Sequence, residues 1–184
     1  MKRILALLLT LTLLPCAALA EALELHRVDI PGVGISMPVY ASWIYGTPEL
    51  GLQSPLALAS AMTQEEFDML FVTAGYSFYA LDAFTGMNCS VIAANEPLDL
   101  SPEGFGSTFS TLTTFMNVDS WTLYSRPNGT FLRVDASNIA FGPTCLLFGN
   151  GANGGFCIYL MALMSDEYPV EAMEALMDGI RPLE

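Results

Sequence analysis

Trp121-Thr122-Leu123-Tyr124-Ser125-Arg126-Pro127-Asn128-Gly129-Thr130-Phe131-Leu132-Arg133-Val134-Asp135-Ala136 is the stretch that decides the architecture. Asn128-Gly129 is a preferred centre for a two-residue β-hairpin turn, because both central positions of a type I′ turn need positive φ. Pairing outward from it sets Leu123 opposite Val134 and Trp121 opposite Ala136 on one face. The other face receives Tyr124 opposite Arg133 and Thr122 opposite Asp135. Apolar residues gather on one side and polar ones on the other, as a half-covered antiparallel sheet requires.

Working outward, residues 144–148 and 156–164 read as further strands flanking a glycine-rich loop. A helix over 169–178 follows, burying Val170, Met173, Leu176, Met177 and Ile180, with Gly179 at its end. Upstream, residues 25–30 and 34–39 read as two strands about the turn dipeptide Pro31-Gly32. Residues 40–62 show no clear period and predict a long irregular loop, with room for one extra strand at Trp43-Ile44-Tyr45. Thr63 and Glu66 then form a capping box, and Met62 with Phe67 forms a hydrophobic staple. Phe67, Leu70, Phe71 and Ala74 keep helical spacing, and Gly75 is placed to end that helix. Residues 77–82 and 87–94 predict two strands about Phe84-Thr85-Gly86. A second long helix starts at Ser101-Pro102 and carries Phe105, Phe109, Leu112 and Met116 on one face. Its other face is rich in Ser and Thr, weak helix formers, so packing must hold it.

Strands and helices therefore segregate without strict βαβ alternation. This predicts an α+β fold, an antiparallel β-sheet with helices packed on it. In this order of elements the chain resembles the PsbP-like superfamily, which includes the extrinsic photosystem II protein, a small Ran-binding import factor and DcrB-like envelope proteins. The opening Ile30-Pro31-Gly32-Val33-Gly34-Ile35 hairpin and the run from 156 to 164 into the last helix carry the resemblance. It implies an α/β/α sandwich and a non-catalytic domain that docks onto other proteins. No functional residue of the family can be matched position by position, and the basic docking surface of PsbP itself is missing here.

The amino terminus predicts export. Lys2-Arg3 precedes an apolar run over 4–14 that is too short to span a bilayer, and Ala18-Leu19-Ala20 supplies a small-x-small cleavage pattern. Residues 1–20 are read as a signal peptide cleaved after Ala20, and 21–184 as a single domain in a secreted or periplasmic, extracytoplasmic location. An uncleaved anchor and lipidation at Cys16 are the weaker alternatives; Pro15 stands where a lipoprotein signal wants a small residue. Cleavage removes Lys2 and Arg3, leaves 164 of the 184 residues, and takes the formal charge from −13 to −15 with all 19 acids retained. A nucleic-acid partner is excluded by the want of a basic footprint, and lysine chemistry by the want of a lysine. No later stretch suits a transmembrane span. With 53% hydrophobic residues, disorder is excluded too.

Candidate sites are few. Gly149-Asn150-Gly151-Ala152-Asn153-Gly154 fits G-x-G-x-x-G, but the β-forming run after it predicts a hairpin loop rather than a dinucleotide site, and no cofactor is expected. Cys145 and Cys157 lie equidistant from residue 151, so a symmetric hairpin would set them face to face, as a disulfide or as two buried thiols. His26, the sole histidine, is expected at a strand edge; it leaves no partner for a cysteine or serine nucleophile. The acids show no calcium-loop spacing, and no metal site is expected. Asn88-Cys89-Ser90 and Asn128-Gly129-Thr130 are glycosylation sequons in form. Trp43 and Tyr45, with Tyr76, Phe78 and Tyr79, are candidates for a partner-binding aromatic platform. The resulting expectation is an exported, non-catalytic binding or accessory domain with an unidentified protein partner. The alternatives are an extracytoplasmic hydrolase using an acidic pair and a purely structural envelope protein.

Overall fold

The computed structural model describes residues 25–82, 84–138, 142–162 and 165–183. The apolar leader, Cys16 and the cleavage point at Ala20 lie outside the described residues. In chain order the elements are β1 (Leu25–Ile30), β2 (Ile35–Tyr40), β3 (Trp43–Gly46), a 3-10 turn (Gly51–Gln53), α1 (Pro55–Ser60), α2 (Gln64–Asp68) continuing into a π turn (Met69–Thr73), β4 (Tyr76–Asp82), β5 (Met87–Ala93), α3 (Pro102–Phe115), β6 (Asn117–Arg126), β7 (Gly129–Asn138), β8 (Gly142–Gly151), β9 (Gly154–Ala162), α4 (Val170–Gly179) and β10 (Arg181–Pro182). Seven strands join in the order β3-β4-β5-β9-β8-β7-β6, and β1, β2 and β10 form a smaller sheet. The architecture is α+β, with antiparallel sheets and helices packed on them.

Period-two alternation gives the large sheet two apolar faces, and each is covered differently. One face carries Phe78, Val91, Leu147, Ile158 and Leu160 against Ile30, Ile35 and Met37 of the small sheet and Met173, Leu176 and Met177 of α4. On the other face α3 sets Phe105 against Leu132, Val134, Leu146 and Phe148. Beside it, Leu56 of α1 and Phe67 and Phe71 of the α2 segment pack toward Ile44, Tyr76 and Tyr79. The two helical covers leave sheet between them.

Several local expectations hold. The Thr63–Glu66 capping box is formed in both directions, and Ser101 caps α3 with Pro102 in its first turn. The extra strand at 43–45 exists as β3, and the rest of the supposed loop folds into a 3-10 turn and α1. The helix from Thr63 departs from a pure 3.6 period, because Ala74 N–H donates to Met69 O, five residues back. That extra residue rotates Ala74 to the surface while the Phe67 and Phe71 rings stay in tilted contact, 4.5 Å between centroids.

The β6–β7 register is corrected by one turn position. Trp121 pairs with Val134, Leu123 with Leu132, Tyr124 with Phe131 and Thr122 with Arg133, so the chain reverses over Pro127-Asn128. A turn centred on Asn128-Gly129 would make Pro127 the strand residue that must donate an N–H across the ladder, and proline has none. Arg126 takes that place, paired with Gly129. Because partners shift by two residues, each side chain keeps its expected face.

The β8–β9 hairpin is corrected too. Its turn is Ala152-Asn153, with Gly151 opposite Gly154. Cys145 therefore pairs with Leu160 and Cys157 with Phe148, and the two sulfurs leave the sheet on opposite faces. No disulfide joins them; Cys89, Cys145 and Cys157 are free thiols. The glycine run serves close packing of two hairpin tips. A Cβ on Gly151 would lie 2.1 Å from Val33 O of the β1–β2 turn. There Ala152 N–H donates to Gly34 O at 3.1 Å and Asn153 Nδ2 to Pro31 O at 2.7 Å. A strand follows Gly154, so the hairpin reading of this motif stands.

Candidate functional site

Between α3 and the α1–α2 cover, the middle of the large sheet is left as a groove of about 530 Å³. Its floor is set by strand alternation. Cys89 and Val91 of β5 point into the main core, so Asn88, Ser90 and Ile92 point the other way. Cross-strand pairing aligns Tyr79, Ser90 and Tyr159 in one row, and Asn88, Met161 and Thr144 in the next. Leu112, Phe115 and Met116 of the α3 end form one wall, and Tyr76 stands by Tyr79 with ring centroids 5.6 Å apart. Among the described residues its lining carries no charge.

One polar atom in this floor is unpaired. Asn88 is 4% exposed, and its Nδ2 donates to the Tyr79 hydroxyl, but among the described residues Oδ1 has no hydrogen-bond partner. A buried acceptor left bare costs roughly 1–3 kcal/mol, so such groups call for an explanation. Burial, the largest cause, holds the Tyr159 phenol above its ordinary pKa, with the Cys157 thiol beside it adding to the effect. Burial, followed by the neighbouring Tyr79, also raises Tyr76. These phenols stay neutral donors at physiological pH.

The structure does not bring the five aromatics singled out from the sequence together: they divide between the two faces of the sheet. Tyr76 and Tyr79 line the groove. Trp43 does not: it is 5% exposed, paired with Asp82 and packed on Tyr40 at 5.5 Å. Tyr45 stacks on Phe78 at 5.8 Å, on the core side. Both rings follow Ala80 and Asp82 to the buried face of the sheet, as their register dictates. Asn88 and Ser90 enter the sequence reading only as a sequon, and Thr144 and Tyr159 not as site residues at all. Their signal is present in retrospect, since Asn88 and Ser90 put polar groups at alternate positions of an otherwise apolar strand.

Elsewhere several of the acids face cations or hydrogen-bond donors. Asp135 lies 3.2 Å from Arg133 Nε and accepts from Ser120 and from the Cys145 thiol. Asp178 and Glu174 pair with Arg126 and Arg133. Glu66 and Asp99 are held below the usual carboxylate range by hydrogen bonds from Thr63 and Ser101, the wrong direction for a general acid. Burial raises all three described thiols, so they are protonated and inert. His26 is exposed on edge strand β1. Among the described residues no three His, Cys, Asp or Glu side chains are grouped to hold a metal ion. Both sequon amides are already engaged: Asn88 in the groove floor, Asn128 on the end of α4.

No protein-family model and no curated protein matches this sequence. Among solved structures, the chain is similar to the solution structure of cyanobacterial PsbP (CyanoP) from Synechocystis sp. PCC 6803, with a TM-score of 0.55. The fold is PsbP-like. The match covers 87% of this chain and 93% of that chain at 9% sequence identity, so it fixes the arrangement of elements and no individual side chain. Among the described residues no helix is long and apolar enough to cross a membrane.

Proposed function

We propose that this protein is an exported, non-catalytic binding domain, accessory to another protein, and that it docks through the groove between α3 and the α1–α2 segment. The observation that carries this reading is an open, mostly apolar depression in the sheet, with Asn88, Ser90, Thr144 and Tyr159 in its floor and no charged side chain among its described lining. Concave apolar surfaces with a few convergent polar groups are where proteins receive ligands. The leader read over residues 1–20 supports delivery outside the cytoplasm, and the PsbP-like fold fits an accessory role. Asp135, Glu174 and Asp178 meet arginines and the described thiols stay protonated, which favours binding over chemistry.

A photoreactive amino acid placed at Phe115, 70% exposed on the groove wall, tests this in the native envelope. A control at Phe84, which is 81% exposed on the β4–β5 turn, reports unspecific contact. A discrete adduct from position 115 and none from position 84 is expected. Equal labelling from both positions, or none from 115, overturns the assignment of the groove.

A further inference from the structure

We infer that the outer edge of β6 pairs with β6 of a second copy of this chain, antiparallel about a two-fold axis, so that the two large sheets join into one. β6 is the terminal strand of the seven-stranded sheet, and among the described residues no strand pairs with its outer side. Such an edge presents a row of backbone N–H and C=O groups that another strand can satisfy, and proteins ordinarily blunt it. The other edges here are blunted. β3 has four residues, β10 has two and includes Pro182, and β1 carries Arg27 and Asp29. β6 runs for ten residues without a proline. Its bulge falls between Val118 and Ser120, and the stretch from Ser120 to Arg126 keeps an unbroken register.

The side chains of that stretch select the occupant. Trp121 and Leu123 share the α3 face with Val134 and Leu132, yet they are 50% and 46% exposed. Trp121 stands at the rim of a hollow of about 250 Å³ that Leu100, Phe105, Phe109 and Leu132 also line. Residues directly opposite in an antiparallel pair lie on the same face, so a two-fold through Thr122 sets each Trp121 against Leu123 of the other copy. The surface is thus its own complement, as a two-fold contact requires. Charge favours the same occupant. β6 carries two charges, Asp119 toward one end and Arg126 at the other, so antiparallel pairing brings each toward its opposite in the second copy. From Gly104 to Ser125 Asp119 is the sole charged residue, although the chain holds 19 acids, so two acidic molecules meet here with least repulsion. The groove is not involved, since β7 separates its floor on β4, β5, β9 and β8 from β6.

Sedimentation velocity of the purified protein, from about 1 μM to about 1 mM, should show the mass of two copies at the upper end. Leu123→Lys puts a charge on the pairing edge and should weaken association by at least about tenfold, with far-UV circular dichroism unchanged. Thr122→Cys reads the geometry. Facing Cα atoms of antiparallel strands lie about 5 Å apart, so a short bismaleimide should couple two copies through position 122. Phe84→Cys, at a position 81% exposed on the β4–β5 turn, should not couple. The coupling decides by itself if Leu123→Lys fails to fold. A single-copy mass throughout that range overturns the inference and leaves the edge to a strand of another protein. So does a dimer undiminished by a folded Leu123→Lys, or coupling as strong from position 84 as from 122, since either puts the contact on another surface. A dimer that position 122 fails to couple overturns it too.

Discussion

Replacing Asn128 by glycine separates two explanations of the same residue with opposite signs. If Asn128-Gly129 were the centre of a type I′ turn, Asn128→Gly would be neutral or favourable, because glycine takes positive φ without strain. In the structure Asn128 is not left-handed; among described residues other than glycine, Ala61 is the one with positive φ. Its work is tertiary. Nδ2 donates to Met177 O at 2.8 Å and to Ile180 O at 2.6 Å, carbonyls at the end of α4 that a helix terminus leaves without partners. Two hydrogen bonds at about 1 kcal/mol net each give a loss of about 2 kcal/mol. For a domain of this size that lowers Tm by about 4–8 °C. The assay is urea unfolding followed by circular dichroism and tryptophan fluorescence, comparing wild type with Asn128→Gly, Asn128→Ala and Asn128→Asp at constant m. Aspartate retains the shape but turns a carboxylate toward two carbonyls and the negative end of a helix. It should be at least as damaging as alanine at pH 7, and the damage should ease as the carboxylate protonates at lower pH. A glycine variant within about 0.5 kcal/mol of wild type would refute the reasoning, since surface changes without a structural role fall in that range.

Three further outcomes follow from the packing and the protonation states. Gly179→Ala, stabilising by about 1 kcal/mol in an open helix interior, should destabilise by about 1–3 kcal/mol here, because the new Cβ would lie 2.4 Å from Pro38 Cγ; thermal melts decide the sign. Cys89, Cys145 and Cys157 should resist alkylation at pH 8 in the folded protein and label together on unfolding, and unreduced peptide mapping should find no Cys145–Cys157 link. Tyr168, whose hydroxyl donates to Asp119, has its pKa pushed up to about 12, first by desolvation and then by that carboxylate. A folded pKa above the unfolded value near 10 contributes stability that is complete below that pH and is lost as pH rises toward 12. Denaturant titrations across that window should show the decline, and Tyr168→Phe should flatten it; an unchanged slope in the variant would exclude Tyr168 as the source.

Much of the fold was legible because its signals are local. A capping box needs only Thr63 and Glu66 three residues apart, and α3 announces itself through Ser101-Pro102 and its apolar stripe. Strand faces were legible from parity, which explains why the β6–β7 faces survived a misplaced turn. The site was much less legible. Tyr76 and Tyr79 could be picked out as aromatics, but choosing them over Trp43 and Tyr45 required knowing which face the helices leave open. Asn88 is one polar residue in a strand until the β5–β9 pairing sets it beside Tyr159's row, with no donor for its Oδ1 among the described residues.

By itself the sequence determined the kinds of element, their order and the side of each strand that is apolar, since these depend on spacing, caps and turn residues within a few positions. The tertiary structure alone decided the registers of the two hairpins, the separation of Cys145 from Cys157 and the place of the groove. Those depend on contacts across the chain: the missing N–H of Pro127, the hairpin tip at Gly151 seated on Val33, and the gap between two helical covers of one sheet. A local pattern can specify a face, but only packing between distant segments specifies what that face meets.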